Sequence, residues 1–181
     1  MKDRSPDPTA LELVSLCRQS AELGGQWPLA RMERLAQAFG AASDGVVDWT
    51  AHASLRPVAG GEPEMWLTLG ARADVPLQCQ RCLQTMTQTL RVDRRFRFVR
   101  NEEQAAELDE ESDDDVLALP TRLDLVALLE DELILALPIV PRHDSCPQPL
   151  PIQPAAEADE EAAPHPFAAL AALRGRSGGK P

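Results

Sequence analysis

The chain is expected to fold as an α+β domain, a small antiparallel β-meander covered by one buried amphipathic helix and flanked by acidic and proline-rich flexible segments. Three observations predict this. Apolar residues alternate with polar ones from Val46 to Phe98, the period of half-buried strands. One long leucine-rich stretch, Leu125–Leu137, has the wide apolar face of a covering helix. Residues 101–115 hold nine acids and Pro138–Pro166 holds eight prolines, compositions that resist burial.

The N-terminal arm, 1–24, contains Thr9–Leu23, a segment whose Leu13, Leu16 and Cys17 fit helical spacing, so it reads as a short helix or an extended arm. Gly24-Gly25 is read as its break. A core domain is expected over 25–143. It opens with a helix striped by Leu29, Met32, Leu35, Ala36 and Phe39 and capped at Gly40. Val47, Trp49, Ala51, Ala53 and Leu55 then form the inward face of a strand, and Pro57–Pro63 with its Gly60-Gly61 makes the turn. A longer strand places Met65, Leu67, Leu69, Ala71, Ala73, Val75 and Leu77 inward, with Glu64, Trp66, Thr68, Arg72 and Asp74 outward. Thr85, Thr87 and Thr89 favour a further strand, continued by Val92, Phe96 and Phe98. Residues 101–118 are expected to be a flexible acidic loop within the core domain. Thr121-Arg122-Leu123-Asp124 has capping-box spacing, so the covering helix is expected over 122–137 and to stop at Pro138. Residues 144–164 read as a linker. In 165–181, Phe167, Leu170 and Leu173 recur as one face of a short amphipathic peptide ahead of a basic tail. Too short to hold alone in water, it is expected to dock or to fold on a partner.

The net charge of −11 is unevenly spread. Residues 1–100 carry 13 Lys/Arg against 11 Asp/Glu, and residues 101–181 carry 5 against 18. Bulk charge therefore cannot hold RNA, and any such contact needs a local basic face. Arg91, Arg95 and Arg97 supply one candidate, interleaved with Phe96 and Phe98. Alternation puts those phenylalanines on the opposite face from Arg95 and Arg97, which favours a core role for the rings over base stacking. No run approaches the ~18 apolar residues of a membrane span, and the start M-K-D-R-S-P-D-P lacks an apolar signal segment. A cytoplasmic protein with reduced thiols is expected.

Cys79-Gln80-Arg81-Cys82 stands between two strand-like runs. Side chains three apart on a strand diverge, so the pair reads as a tight knuckle with both sulfurs facing one point. A knuckle of this kind holds half a zinc site, exchanges disulfides, or only closes a hairpin. His143 and Cys146 would complete a Cys3His set for one structural zinc. Redox chemistry is the weaker reading, because no βαβ pattern or helix N-terminus surrounds the thiols. No Ser-His-Asp arrangement, phosphate loop or H-E-x-x-H occurs. Nothing argues for an enzyme, and no catalytic residue is assigned.

Three stretches together resemble the YceD family of bacterial large ribosomal RNA subunit accumulation proteins: Q-C-Q-R-C-L at 78–83, L-D-L-V-A-L-L-E-D-E-L-I-L-A-L-P-I-V-P-R-H at 123–143, and H-P-F-A-A-L-A-A-L at 165–173. Cys79, Cys82, Leu125, Glu130, Asp131, Glu132, Pro138, Pro141 and His143 match the family pattern. The resemblance implies a non-enzymatic role in synthesis, processing or stability of 23S ribosomal RNA, hence in ribosome biogenesis. It implies as partner a pre-large-subunit particle or the RNA itself, met directly or through a protein. Some relatives carry further C-terminal cysteines that would complete a metal site, where this chain has Cys146. Glu130, Asp131, Glu132, Phe167, Leu170 and Leu173 are the candidate partner-binding residues. The alternative function is that of an adaptor regulating a cytosolic enzyme, such as one of phospholipid synthesis; a thiol oxidoreductase ranks third.

Overall fold

Five strands run in the order β1-β2-β3-β4-β5 in a computed structural model that describes residues 6–39 and 44–148. These residues belong to one compact unit, Met1–Gln148. The elements are α1 (Leu13–Arg18), β1 (Glu22–Pro28), a 3-10 turn (Leu29–Arg31), α2 (Glu33–Phe39), β2 (Val46–Arg56), β3 (Glu64–Gln78), β4 (Thr85–Val99), α3 (Glu102–Asp109), β5 (Asp115–Ala118) and α4 (Leu125–Leu135). β1 through β4 pair antiparallel, whereas β5 pairs parallel to β4. A parallel neighbour cannot follow from a tight turn and needs a crossover; α3 lies in that connection.

The alternation seen in the sequence is the sheet's two faces. Register opposes Val47 to Ala73, Ala51 to Leu69 and Ala53 to Leu67, and Leu67 in turn to Phe96. All seven are buried in one apolar cluster. Leu13 and Cys17 of α1, then Leu29, Met32 and Leu35, and Leu125, Leu129 and Leu133 of α4 cover this face. The three α4 leucines stand one turn apart and are fully buried. Each such burial is worth roughly 1.5–3 kcal/mol relative to exposure.

Several expectations need correction, each for a physical reason. Of the two readings of Thr9–Leu23, the short helix is the one present, as α1. Leu11 exchanges backbone hydrogen bonds with Leu123 at 2.9 and 2.8 Å, and α1 is in the core. Gly24-Gly25 does not break the chain but lies in edge strand β1; a Cβ at Gly24 would sit 3.1 Å from the Trp49 carbonyl oxygen. The Leu29–Phe39 stripe is split at Met32 into a 3-10 turn and α2, although Leu29, Met32 and Leu35 all reach the core. Gly40 lies outside the described residues. The covering helix begins at Leu125 rather than 122, because Leu123 spends its backbone on the bridge to Leu11. Its N-cap is Asp124, whose Oδ1 accepts the Ala127 N–H at 2.9 Å.

The acidic loop is ordered structure. Asn101 caps α3 by accepting the Gln104 N–H at 2.9 Å, and Val99, Ala105 and Val116 form a small second apolar cluster. The acids hid these few apolar positions, yet several acids are used. Asp114 pairs with Arg95 at 2.7 Å, Asp115 with Arg94 at 2.6 Å, and Asp109 accepts the Val116 N–H at 2.9 Å. Trp66 is the last departure. It stands on the outward face yet is buried, because the Arg56 guanidinium lies 4.1 Å from its ring and Glu64 accepts its indole N–H at 2.9 Å.

Candidate metal centre

β3 and β4 are fifteen residues each and pair along most of their length, from Met65 opposite Phe98 to Gln78 opposite Thr85. The six residues left between them must reverse the chain. Cys79 opens the reversal by donating its N–H to the Gln84 carbonyl and accepting the Leu83 N–H at its own carbonyl, both at 2.9 Å. Leu83 takes a positive φ of 60°, a conformation that non-glycine residues adopt only where surroundings impose it. The turn thereby directs Cys79 and Cys82 to the same side, where both are buried.

The second half of the centre comes from the chain after α4. The Pro141 carbonyl accepts the Gln80 N–H at 2.9 Å, which lays residues 141–146 along the knuckle. His143 then sits with Nδ1 3.4 Å from the Cys82 sulfur, and Cys146 with Sγ 3.8 Å from that of Cys79. All four ligand atoms lie within 4.8 Å of one another, and the cysteines are free thiols. A tetrahedral zinc with bonds of ~2.3 Å to sulfur and ~2.0 Å to nitrogen has S···S edges of ~3.8 Å and S···N edges of ~3.5 Å. These two pairs are therefore already at zinc-ligand spacing. Four protein donors would close the coordination sphere, the mark of a structural rather than a catalytic zinc site.

The thiols are electrostatically unequal. Burial alone would raise the Cys79 pKa, but N–H groups of His143, Cys82 and Arg81 facing its sulfur bring it down to about 5. That lowering favours the thiolate, the form that binds metal. Cys82 is pushed up, first by burial and then by the neighbouring sulfurs of Cys146 and Cys79. A shared cation relieves that repulsion.

Arg81 is a contributor that the sequence reading passed over. Its Nε donates to Cys146 Sγ at 2.9 Å, and an Nη donates to the His143 and Asp144 carbonyls at 3.0 and 3.4 Å. The only sequence signal for it is its place inside the C-x-x-C.

The other predicted residues lie elsewhere. Arg91, Arg95 and Arg97 are on the outward face of β4, where Arg95 pairs with Asp114 and Arg97 with Glu64 at 2.8 Å. Phe96 and Phe98 are buried on the other face, so these rings are not exposed to stack bases. Arg94 lies inward of that row, beneath α4, pairing with Glu132 at 3.2 Å and with Asp115. Glu130 is buried and accepts the Arg34 and Leu35 N–H groups at 2.7 and 3.1 Å and the Arg34 guanidinium at 2.9 Å. Asp131 takes the same guanidinium at 2.5 Å. These three carboxylates thus make contacts inside the chain, and Asp131 alone is substantially exposed. Phe167, Leu170 and Leu173 lie outside the described residues.

The sequence comparisons take in this whole arrangement. The family described as large ribosomal RNA subunit accumulation protein YceD matches residues 67–174. The large ribosomal RNA subunit accumulation protein YceD of Haemophilus influenzae is 31% identical over 173 residues, covering 92% of this chain and 95% of its own length. The chain belongs to the YceD family. The family match spans both halves of the candidate metal centre, from Cys79 to Cys146, and α4 between them. No solved structure gives a significant match. Among the described residues, no helix of this YceD protein is long and apolar enough to cross a membrane.

Proposed function

We propose that this protein is a non-enzymatic factor in the accumulation of the large ribosomal RNA subunit, acting in the synthesis, processing or stability of 23S ribosomal RNA. The observation that carries the reading is its end-to-end likeness to a protein of that name. The four-ligand cluster supports a structural zinc, bound by Cys79, Cys82, His143 and Cys146, with the ion fastening the segment after α4 to the β3–β4 turn.

The charge distribution favours a protein intermediary over direct RNA grip. The net charge is −11, and Arg95 and Arg97 already have acidic partners. Partner contact is assigned to Asp131 and to the peptide at Phe167, Leu170 and Leu173, tethered by residues 144–164. Cells lacking the protein should under-accumulate 23S ribosomal RNA, and the wild-type chain should restore it and co-sediment with pre-large-subunit particles. Normal 23S levels in the deletion strain would overturn the proposal. Charge reversal at Arg91, Arg95 and Arg97 separates the routes. An unchanged salt dependence of particle binding supports the intermediary, whereas a flattened one places phosphates on that face.

A further inference from the structure

The four candidate ligands come from two segments of very different stiffness. Cys79 and Cys82 sit in a turn fixed by the long β3–β4 ladder. His143 and Cys146 lie on a stretch without helix or strand. Few contacts hold that stretch in register. Apart from the two ligand-to-ligand contacts, Cys79 to Cys146 and Cys82 to His143, the Gln80 N–H reaches Pro141, the His143 N–H reaches the Cys79 sulfur at 3.4 Å, and three hydrogen bonds come from one side chain, that of Arg81.

We propose that Arg81 is the positioning residue of this metal centre, holding the His143–Cys146 half of the ligand set against the knuckle and balancing the charge of its thiolates. The inference rests on the metal reading above. Three features of the geometry carry it. First, Arg81 stands between the two knuckle cysteines, so the turn that aims their sulfurs at one point also aims its guanidinium toward that side. Second, the guanidinium works as a fork: Nε takes the Cys146 sulfur while Nη2 takes the carbonyls of His143 and Asp144. One planar group thus sets the position of a ligand atom and of the backbone that carries both ligands. A lysine ammonium has the charge but lacks a rigid fork that can make both contacts at once. Third, a divalent ion with three thiolates and a neutral imidazole carries one net negative charge. A guanidinium donating to one thiolate cancels it through a charge-assisted hydrogen bond, which matters at a site where Cys79 and Cys82 are buried.

Groups that orient metal ligands in this way typically change metal affinity by about 10–100-fold when removed. The test is a cobalt(II) titration of the full chain, read by the thiolate-to-metal absorption and repeated with zinc by chelator competition. Wild type should give the spectrum of a tetrahedral site with three sulfurs. Arg81→Gln should bind about 10–100-fold more weakly, and Arg81→Lys should fall between them. The metal-free melting temperatures of Arg81→Gln and wild type should stay alike, which separates positioning from folding. A second readout uses only the wild type: in the metal-loaded chain the Arg81 Nε–H should exchange slowly with water, unlike that of an exposed arginine. This keeps the proposal open to refutation if Arg81→Gln does not fold. Equal cobalt affinity in wild type and Arg81→Gln, or a fast-exchanging Nε–H in the loaded protein, overturns the role of Arg81 and leaves the metal site standing. A wild type that takes up no metal overturns the site itself, and the inference with it.

Discussion

The centre of the sheet and the turn at its end are fastened by different forces. At the centre the fastening is apolar contact, with α1 packed on β2 and leucines of α4 on β3 and β4. At the knuckle, four donor atoms and one guanidinium meet, and the segment beyond α4 has little apolar burial. Val140 is half exposed and Ile139 fully so. Burial is non-directional and needs no cofactor. The knuckle's order is directional and, on the reading above, conditional on an ion. The two regions should therefore fail independently.

The largest effect should come from the apolar centre. Leu129→Ala removes a fully buried side chain and is expected to cost about 2–5 kcal/mol in chemical denaturation. The protein that remains folded should bind metal as wild type does. A coupled loss of metal would show that the two regions form one cooperative unit.

Cys82→Ser tests the other region and should cost less. It removes one ligand, so the metal should be lost and its stabilisation with it. A ligand at 100 times its dissociation constant stabilises by about 2.7 kcal/mol. Chelation of wild type should lower the melting temperature by the same amount and expose Cys146 to alkylation, with the sheet intact by circular dichroism. A chelator-insensitive melting curve breaks the comparison, since the knuckle would then be held without an ion.

A third, smaller effect belongs to the polar contacts that tie α2 to α4. Glu130→Ala leaves the Arg34 and Leu35 N–H groups without their acceptor, at about 1–3 kcal/mol. The ion pair itself adds little, because Arg34 is half exposed. Arg34→Ala should therefore cost less than Glu130→Ala when both are measured by urea denaturation. The reverse order would give the ion pair the main role.

The two regions were also legible to different degrees in the sequence. Strands β2, β3 and β4 could be read because a half-buried strand writes its period directly into the residue order. Helix α4 could be read for the same reason, apart from its start at Leu125. Elements whose burial is small could not. α3 and β5 bury Ala105 and Val116 among nine acids, and β1 contains two adjacent glycines. Those segments are stable because neighbours supply pairing and ion partners, which no local window displays. At the candidate centre the residue types were legible, since thiols and imidazole are a small vocabulary for metal. What was not legible was that residues 141–146 lie along the knuckle. That depends on the length of α4 and on the Gln80–Pro141 hydrogen bond. Arg81 was hidden for the same reason, as its role exists only once the segment is in place.

The smallest expected effect contrasts Glu130 with its neighbour Glu132, two buried carboxylates of one helix. Glu130 is met by two backbone N–H groups, whereas among the described residues Glu132 pairs with the half-exposed Arg94. Burial raises the Glu132 pKa above its ordinary 4.5; the Arg94 charge opposes this, and Asp115 and Asp131 add to it. A carboxyl that binds its proton more tightly in the folded than in the unfolded chain stabilises the fold while protonated. That contribution is fully present below about pH 4.5, the unfolded value, and is lost as pH rises through the folded one. Glu132→Gln fixes the neutral form at every pH, and Asp115 remains to pair with Arg94. Relative to wild type, the glutamine variant should therefore gain stability as pH rises from 4 to 7, by no more than about 1 kcal/mol given the exposure of Arg94. Urea denaturation of both proteins at several pH values reads the difference. A difference that shrinks or turns against the variant as pH rises would mean that Arg94 outweighs burial, and that Glu132 stabilises the fold as an ion partner.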